Sequence, residues 1–573
     1  MESKQTFLFR IRLIAFFTII VGGAVLARLF SLQVVRGESY SDQADSSYVR
    51  SSDTFDRGAI YFSKKDGSHI SAATVNTGYI LAINPNLLEN PEDTFTKIST
   101  VIDIDKAKFI EKAAKKNDPY EEIAKEISRE NADAISALEL SGVTMSKHKW
   151  RFYPGREMSA QTIGFMGYGS DNTVSGQYGL EKYYNETLTK DEENLYVNIF
   201  AEIFSGVKAV VFEGDERTGD IITTIEPTVQ NSLEKELVAI TDKYHPESAS
   251  GIIMSPQTGE IYAMASFPNF DLNDFGGVSN PSIYGNPLVE NVYEFGSVVK
   301  PLVIASGIDL GVISASTPFY DKGSVRVEDK EIFNFDKLGR GQITMQDVLS
   351  ESLNTGMVYS MQKIGRNKFK EYMEGFRLGE KTNIDLPNEA KGLTGNLDEP
   401  RELEYANISF GQGISFSPIV LIRAIASLGN GGYLVRPHVV KEIEYEEGGG
   451  KTFEYLKEDQ PTIIKPETSR AISDMLVYSV DHVYGDGKYK MENYSIAAKT
   501  GTAQIPNPAD GGYFTDRNLH SFVGYFPASD PQFVIFLSIT APKGVKYAAE
   551  TLSAPFFDMT KFLINYYEVA PDR

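Results

Sequence analysis

The chain has 573 residues, more than one hydrophobic core can hold, and is read as two to four domains. Its formal net charge is −22, from 78 acids against 56 bases, which argues against the basic footprint of a nucleic-acid binder. With no cysteine, disulfides, thiolate catalysis and Cys-based zinc sites are excluded. Six histidines without an HExxH pair make metal catalysis unexpected. At 42% hydrophobic and 12% aromatic the composition is globular.

In chain order, the first element is apolar. Leu13 to Ala27, "LIAFFTIIVGGAVLA", is uncharged, and after Arg28 the run resumes through "LFSLQVV". Together these match the length that crosses a bilayer, with Arg28 able to snorkel. Lys4, Arg10 and Arg12 precede the run, which predicts a cytoplasmic N-terminus and everything after about residue 36 outside the membrane. A cleaved signal peptide is the alternative, since "GGA" offers small residues. The stretch is longer than a usual signal core, so a retained anchor over 1–45 is expected.

From Asp53 to about Glu213 the pattern is irregular α+β. "GYILAINP" predicts a strand closed by Asn-Pro. "DKAKFIEKAAKKN" and "YEEIAKEISRENADAISALEL" alternate charge at helical spacing and predict solvated helices. The character changes near residue 216, giving expected domains of 46–215 and 216–573. "TTIEPTVQNSLEKELVAITDKY" places Pro227 at a helix start and Val229, Leu233, Leu237 and Ile240 on one face. "SGIIMSP" and "EIYAMAS" flank a turn, as do "HSFVGYF" and "QFVIFLSIT" farther on. Strands at both ends of a domain with helices between predict an α+β fold, one antiparallel sheet backed by helices.

Three short motifs could carry chemistry. Ser-x-x-Lys occurs five times, at Ser146/Lys149, Ser205/Lys208, Ser232/Lys235, Ser297/Lys300 and Ser360/Lys363, so spacing alone selects none. If Ser297 starts a helix, Lys300 lies one turn on. Val298, Val299, Leu302 and Val303 supply apolar burial that would lower its pKa toward the range a base needs. Gly296 allows close backbone approach. Ser352-Leu353-Asn354 is a Ser-x-Asn, which taken alone reads as a helix cap. Lys499-Thr500-Gly501 in "SIAAKTGTAQIP" reads as an edge strand suited to a peptide carboxylate, or as a plain polar turn.

The order Ser-x-x-Lys, Ser-x-Asn, Lys-Thr-Gly over about two hundred residues is the signature set of penicillin-binding proteins and serine β-lactamases. With "FDRGAIY", "RFYPGREMSAQTIGFMGYG", "GQYGLEKYYNETL", "SPQTGEIYAMASFPNFDLND" and "SFGQGISFSPIVLIRAIASLGNGG", the chain resembles a class B penicillin-binding protein along nearly its whole length. "HSFVGYFPASDPQFVIF" looks more like the cell-division type. The resemblance implies an N-terminal transmembrane helix, an elongated pedestal and a transpeptidase domain. It implies that Ser297 attacks the D-Ala-D-Ala carbonyl of a peptidoglycan stem peptide with Lys300 as base. Ser352 would relay a proton, and Asn354 would contact the substrate amide. Lys499 would supply positive field, and Thr500, Gly501 and Thr502 would hold the carboxylate. The backbone amides of Ser297 and Thr502 would form the oxyanion hole. β-Lactams would acylate the same serine, with no cofactor or metal. The implied partners are a SEDS-family membrane glycosyltransferase and other divisome or elongasome proteins. Phe295 stands where the family has proline, and Val298-Val299 where it has Thr-Phe, changes expected to alter the cleft. A D,D-carboxypeptidase, a β-lactamase and a non-catalytic β-lactam-binding scaffold are the rival readings.

Overall fold

The computed structural model describes residues 56–573 apart from 170–172, 191–217, 279, 447–448, 454, 456–460, 508 and 510. The expected anchor lies outside the described residues, among which no helix is long and apolar enough to cross a membrane. The described chain forms two compact units. The smaller comprises Asn76–Trp150; the larger takes Arg57–Val75, Arg151–Lys190 and the remainder to Arg573. Strand β1 (Ile60–Ser63) and the first half of β2 (His69–Ile83) belong to the larger unit, and the second half of β2 opens the smaller.

In the smaller unit, α1 (Pro91–Ile98) and α2 (Lys106–Ala113) start at capping side chains. Asn90 accepts from the Asp93 amide at 3.2 Å and Asp105 from the Lys108 amide at 3.1 Å. Their apolar faces close, with Leu81, Ile83 and Ile135, over a core containing Ile98 and Phe109. The predicted helix at "YEEIAKEISRENADAISALEL" forms only over α3 (Arg129–Ser136). Its first part, Glu121–Ile127, is instead strand β3, antiparallel to β2 with Ile83 opposite Glu121 and Tyr79 opposite Ile127. An available sheet edge overrides the weak helical preference of a short charged stretch. Ser128 then caps α3 by accepting from the Asn131 amide. Strand β4 (Val143–Phe152) also pairs with β2.

In the larger unit, β1 runs antiparallel to β2 and parallel to β5 (Gly219–Thr223), so this sheet is mixed. Helix α4 (Pro227–Tyr244) begins where expected: Glu226 accepts from the Val229 amide at 2.7 Å, and Val229, Leu233, Leu237 and Ile240 are buried. Strands β6 (Ser248–Met254) and β7 (Ile261–Phe267) form the first predicted hairpin. Among the helices between are α5 (Lys300–Asp309), α6 (Asn354–Ile364) and α7 (Pro418–Gly429), followed by β8 (Val440–Tyr445) and α8 (Pro466–His482). Strands β9 (Ala497–Pro506), β10 (Tyr513–Phe526) and β11 (Phe533–Thr540) and helix α9 (Ala548–Tyr567) complete the chain.

The second sheet is antiparallel, in the order β9-β10-β11-β6-β7. Alternate residues of each strand face opposite sides. Phe522, Ile535 and Leu537 pack with Val229 and Leu233 of α4 and Phe556 of α9. On the other side Val523, Tyr525 and Phe536 join Leu302 and Val303 of α5 and Ile425 of α7. Helix α5 is buried from Lys300 to Gly307, and β9 is an edge strand of this sheet.

Candidate active site

Ser297 occupies a 3-10 turn, Gly296–Val299, and α5 begins only at Lys300. The serine therefore precedes the helix and is partly exposed, while Lys300 is fully buried. Two glycines set the turn. Gly296 has φ +59°, and a Cβ on Gly411 would lie 2.0 Å from the Gly296 carbonyl oxygen. The Gly296 amide donates to Gly411 O at 3.1 Å. The turn also rests on β9: a Cβ on Gly501 would meet Phe295 O at 2.6 Å and Val298 Cγ1 at 3.0 Å. Gly501 thus answers to the serine turn itself.

The three departures around Ser297 are all inward-facing. Phe295 is 1% exposed, with its ring centroid 5.3 Å from Phe416 and 5.7 Å from Phe536, and Val298 and Val299 are fully buried. They pack in the core around the serine turn.

The second motif is no helix cap. The N-cap of α6 is Leu353, and no side chain caps the helix from that position. Ser352, at φ +58°, and Asn354 turn instead to the lysine. Lys300 Nζ lies 2.5 Å from Ser352 O, 2.8 Å from Asn354 Oδ1 and 3.2 Å from Ser352 Oγ. From β9, Lys499 Nζ donates to Ser352 Oγ at 3.1 Å and to Thr500 O at 3.0 Å. Two lysines far apart in sequence thus share one hydroxyl.

Burial and the neighbouring Lys499 hold the Lys300 amine well below the usual lysine range, and burial brings Lys499 down to about 7. A neutral Lys300 has two N–H groups to give. Ser352 O and Asn354 Oδ1 are placed to take both, and its lone pair is then within reach of the Ser352 hydroxyl. The other Ser-x-x-Lys copies lack this environment. Lys149 pairs with Asp56, Lys235 is exposed, Lys363 lies over the Tyr359 ring, and Ser205/Lys208 falls outside the described residues.

Thr500 and Thr502 alternate with Lys499 and Gly501 along β9 and are partly exposed. Thr502 Oγ1 accepts from the Ala548 amide, at the start of α9, at 3.0 Å. A residue the motifs did not mark is Glu294, whose carboxyl is pushed up by burial. It accepts from the Tyr513 hydroxyl at 2.8 Å and the Gly413 amide at 3.0 Å. Those partners lie more than a hundred positions away, so no local pattern announces it. Among the described residues no cluster of acidic or histidine side chains is placed to hold a metal.

The chain matches known proteins along most of its length. Residues 249–560 match the penicillin-binding protein transpeptidase domain, and residues 55–198 the penicillin-binding protein dimerisation domain. Stage V sporulation protein D of Bacillus subtilis is 31% identical over 568 residues, covering 96% of this chain and 85% of its own. Peptidoglycan D,D-transpeptidase FtsI of Escherichia coli K12 is 27% identical over 443 residues, 76% of this chain and 70% of its own. The crystal structure of penicillin-binding protein 2X from Streptococcus thermophilus superposes with a TM-score of 0.73 at 20% identity, covering 90% of this chain and 81% of that one. A transpeptidase domain behind a dimerisation domain, on the fold those proteins share, makes this chain a member of the class B penicillin-binding proteins.

Proposed function

We propose that the chain is a peptidoglycan D,D-transpeptidase of the cell-division type in which Ser297 is the nucleophile. The observation that carries the reading is the junction at Lys300, three residues on from Ser297, where Lys300, Ser352, Asn354 and Lys499 meet within hydrogen-bond distance. Ser297 Oγ attacks the carbonyl carbon of the penultimate D-alanine, and its proton passes to Lys300 Nζ. The amides of Ser297 and Thr502 receive the developing oxyanion, each such donor being worth roughly 2.7–4 kcal/mol in other enzymes. As the C–N bond breaks, Ser352 relays the proton to the departing D-alanine. An amine of a second stem peptide then attacks the acyl-enzyme, and Ser297 recovers its proton. Lys499, Thr500, Gly501 and Thr502 hold the stem-peptide carboxylate along the edge of β9. A β-lactam enters the same path and stays on Ser297.

Residues 1–45 are the membrane anchor, 46–215 the pedestal and 216–573 the catalytic domain, held on the outer face of the cytoplasmic membrane. The hydrophobic run after Lys4, Arg10 and Arg12 supports that placement. A SEDS-family glycosyltransferase of the division machinery is the expected partner.

The test uses the full chain in detergent with a penicillin, read by intact mass and peptide mapping. An adduct on Ser297, absent in Ser297→Ala, supports the reading. Incubation with a stem pentapeptide and an amine acceptor then separates cross-linked product from the hydrolysed tetrapeptide that a carboxypeptidase would give. A folded protein that forms no adduct and turns over no stem peptide overturns it in favour of an inert scaffold.

A further inference from the structure

Helix α6 carries Asn354 at its first position, yet its own N-cap, Leu353, has no side chain able to satisfy the exposed amides. The cap comes from elsewhere. Asn334, in the segment that precedes the motif, accepts from the Thr355 amide through Oδ1 at 3.2 Å. Its Nδ2 donates to Asp321 Oδ2 at 2.9 Å. The Thr355 hydroxyl donates to Asp321 Oδ1 at 2.7 Å. The Asp321 carboxylate also accepts from the Gly323 and Arg340 amides, each at 3.0 Å. Asp321, Asn334 and Thr355 are each 2% exposed. Next to Asn334, the Phe333 carbonyl accepts from Asn354 Nδ2 at 3.0 Å. That bond fixes which end of the amide faces Lys300, and it is Oδ1, at 2.8 Å.

We infer that Asp321, Asn334 and Thr355 form a positioning cluster for the transpeptidation reaction, an external cap that sets the Asn354 amide and through it the orientation of the Lys300 amine. None of the three touches the reacting atoms in this scheme. A buried carboxylate is costly unless its hydrogen bonds are complete. Asp321 receives them from Gly323, Asn334, Arg340 and Thr355, with no cation among these partners. It also lies at the positive end of α6. Such a device locks one geometry, because each member loses its partner if another moves. A simple polar cap on the helix would not need a segment some twenty residues upstream, nor would it orient the neighbouring amide.

The inference rests on Lys300 being the base for Ser297, and the experiment separates the two claims. Second-order acylation rates of the full chain in detergent are measured with a fluorescent penicillin from pH 6 to 10, alongside melting temperature. Thr355→Val removes the hydroxyl at nearly constant volume. The expected result is an acylation rate lower by about 10- to 100-fold, the scale of a misplaced catalytic group. The rising limb should also move to lower pH, because a carbonyl acceptor favours the ammonium form of lysine and its displacement removes that support. Thr355→Ser, which keeps the hydroxyl, is expected within a few-fold of the parent on both measures. A Thr355→Val protein that is folded and matches the parent in rate and pH profile overturns the cluster while leaving the Ser297 reading intact. If Thr355→Val does not fold, Thr355→Ala is read the same way. A parent that forms no adduct on Ser297 defeats the underlying mechanism instead.

Discussion

Lys300 and Lys499, one opening a buried helix and the other on an edge strand, both reach Ser352 Oγ, at 3.2 and 3.1 Å. A single hydroxyl between two amines can accept from one and donate to the other. In the proposed mechanism it bridges the pair for proton transfer. Removing it should do more damage than the loss of one neutral hydrogen bond.

Ser352→Ala is expected to lower the penicillin acylation rate by about 10²- to 10⁴-fold, the range for losing a proton-transfer group. Stopped-flow fluorescence of acylation, with far-UV circular dichroism as a folding control, checks this. A fall of less than five-fold would mean that Lys300 serves Ser297 without the bridge.

The pH profile follows from the same pair. Lys300 must be neutral to accept a proton and is held below the ordinary lysine range, so acidification should extinguish acylation as it gains charge. Lys499, at about 7, loses its cation as pH rises, which weakens its hold on a carboxylate. The expected profile of acylation is bell-shaped, with apparent values that belong to the pair and not to either lysine. Lys300→Arg cannot lose its proton at any accessible pH and should abolish the rising limb altogether.

Gly501→Ala is predicted to disturb catalysis through packing. Its Cβ would stand 2.6 Å from Phe295 O and 2.7 Å from Ser521 Oγ, so the serine turn must shift. Overpacking of this kind costs about 1–3 kcal/mol, and acylation should slow with it. Urea denaturation and the acylation rate read the two effects separately.

Glu181 offers a pH-dependent stability test away from the site. Burial pushes its carboxyl up, but Arg151 and Arg57, at 2.6 and 2.7 Å, outweigh that and leave it below the usual range. A depressed folded value stabilises the fold above the unfolded carboxyl pKa, and that contribution disappears as pH falls through the folded one. Glu181→Gln leaves two arginines without their counter-charge and should cost about 3–5 kcal/mol at neutral pH. Denaturant unfolding at pH 7 should show that loss, and the difference from the parent should narrow in acid.

The sequence made the catalytic unit legible because its motifs are short and its strands strongly apolar. "SGIIMSP" and "QFVIFLSIT" could be little else than buried strands, and the spacing of Val229, Leu233, Leu237 and Ile240 marked one face of α4. Local text failed where a distant partner decided the outcome. Glu121–Ile127 became a strand because β2 was there to pair with it. Asn354 presents Oδ1 to Lys300 while the Phe333 carbonyl, twenty-one positions earlier, holds its Nδ2. The inward turn of Phe295 depends on Phe416 and Phe536, which lie 121 and 241 residues later, and no reading of "EFGSVVK" could supply them.

The way the chain divides has one more consequence. Among the described residues, the larger unit uses Arg57–Val75, leaves, and resumes at Arg151, and the strands at the two ends of the excursion, β2 and β4, pair with each other. A single deletion that rejoins Val75 to Arg151 through a short turn would keep β1 with its partner residues His69–Ala73 and keep Arg151 beside Glu181. Truncating the chain from its N-terminus to residue 216 would instead strip away β1, Arg57, Arg151 and Glu181 together. Excision from within therefore keeps packing that trimming from the end removes.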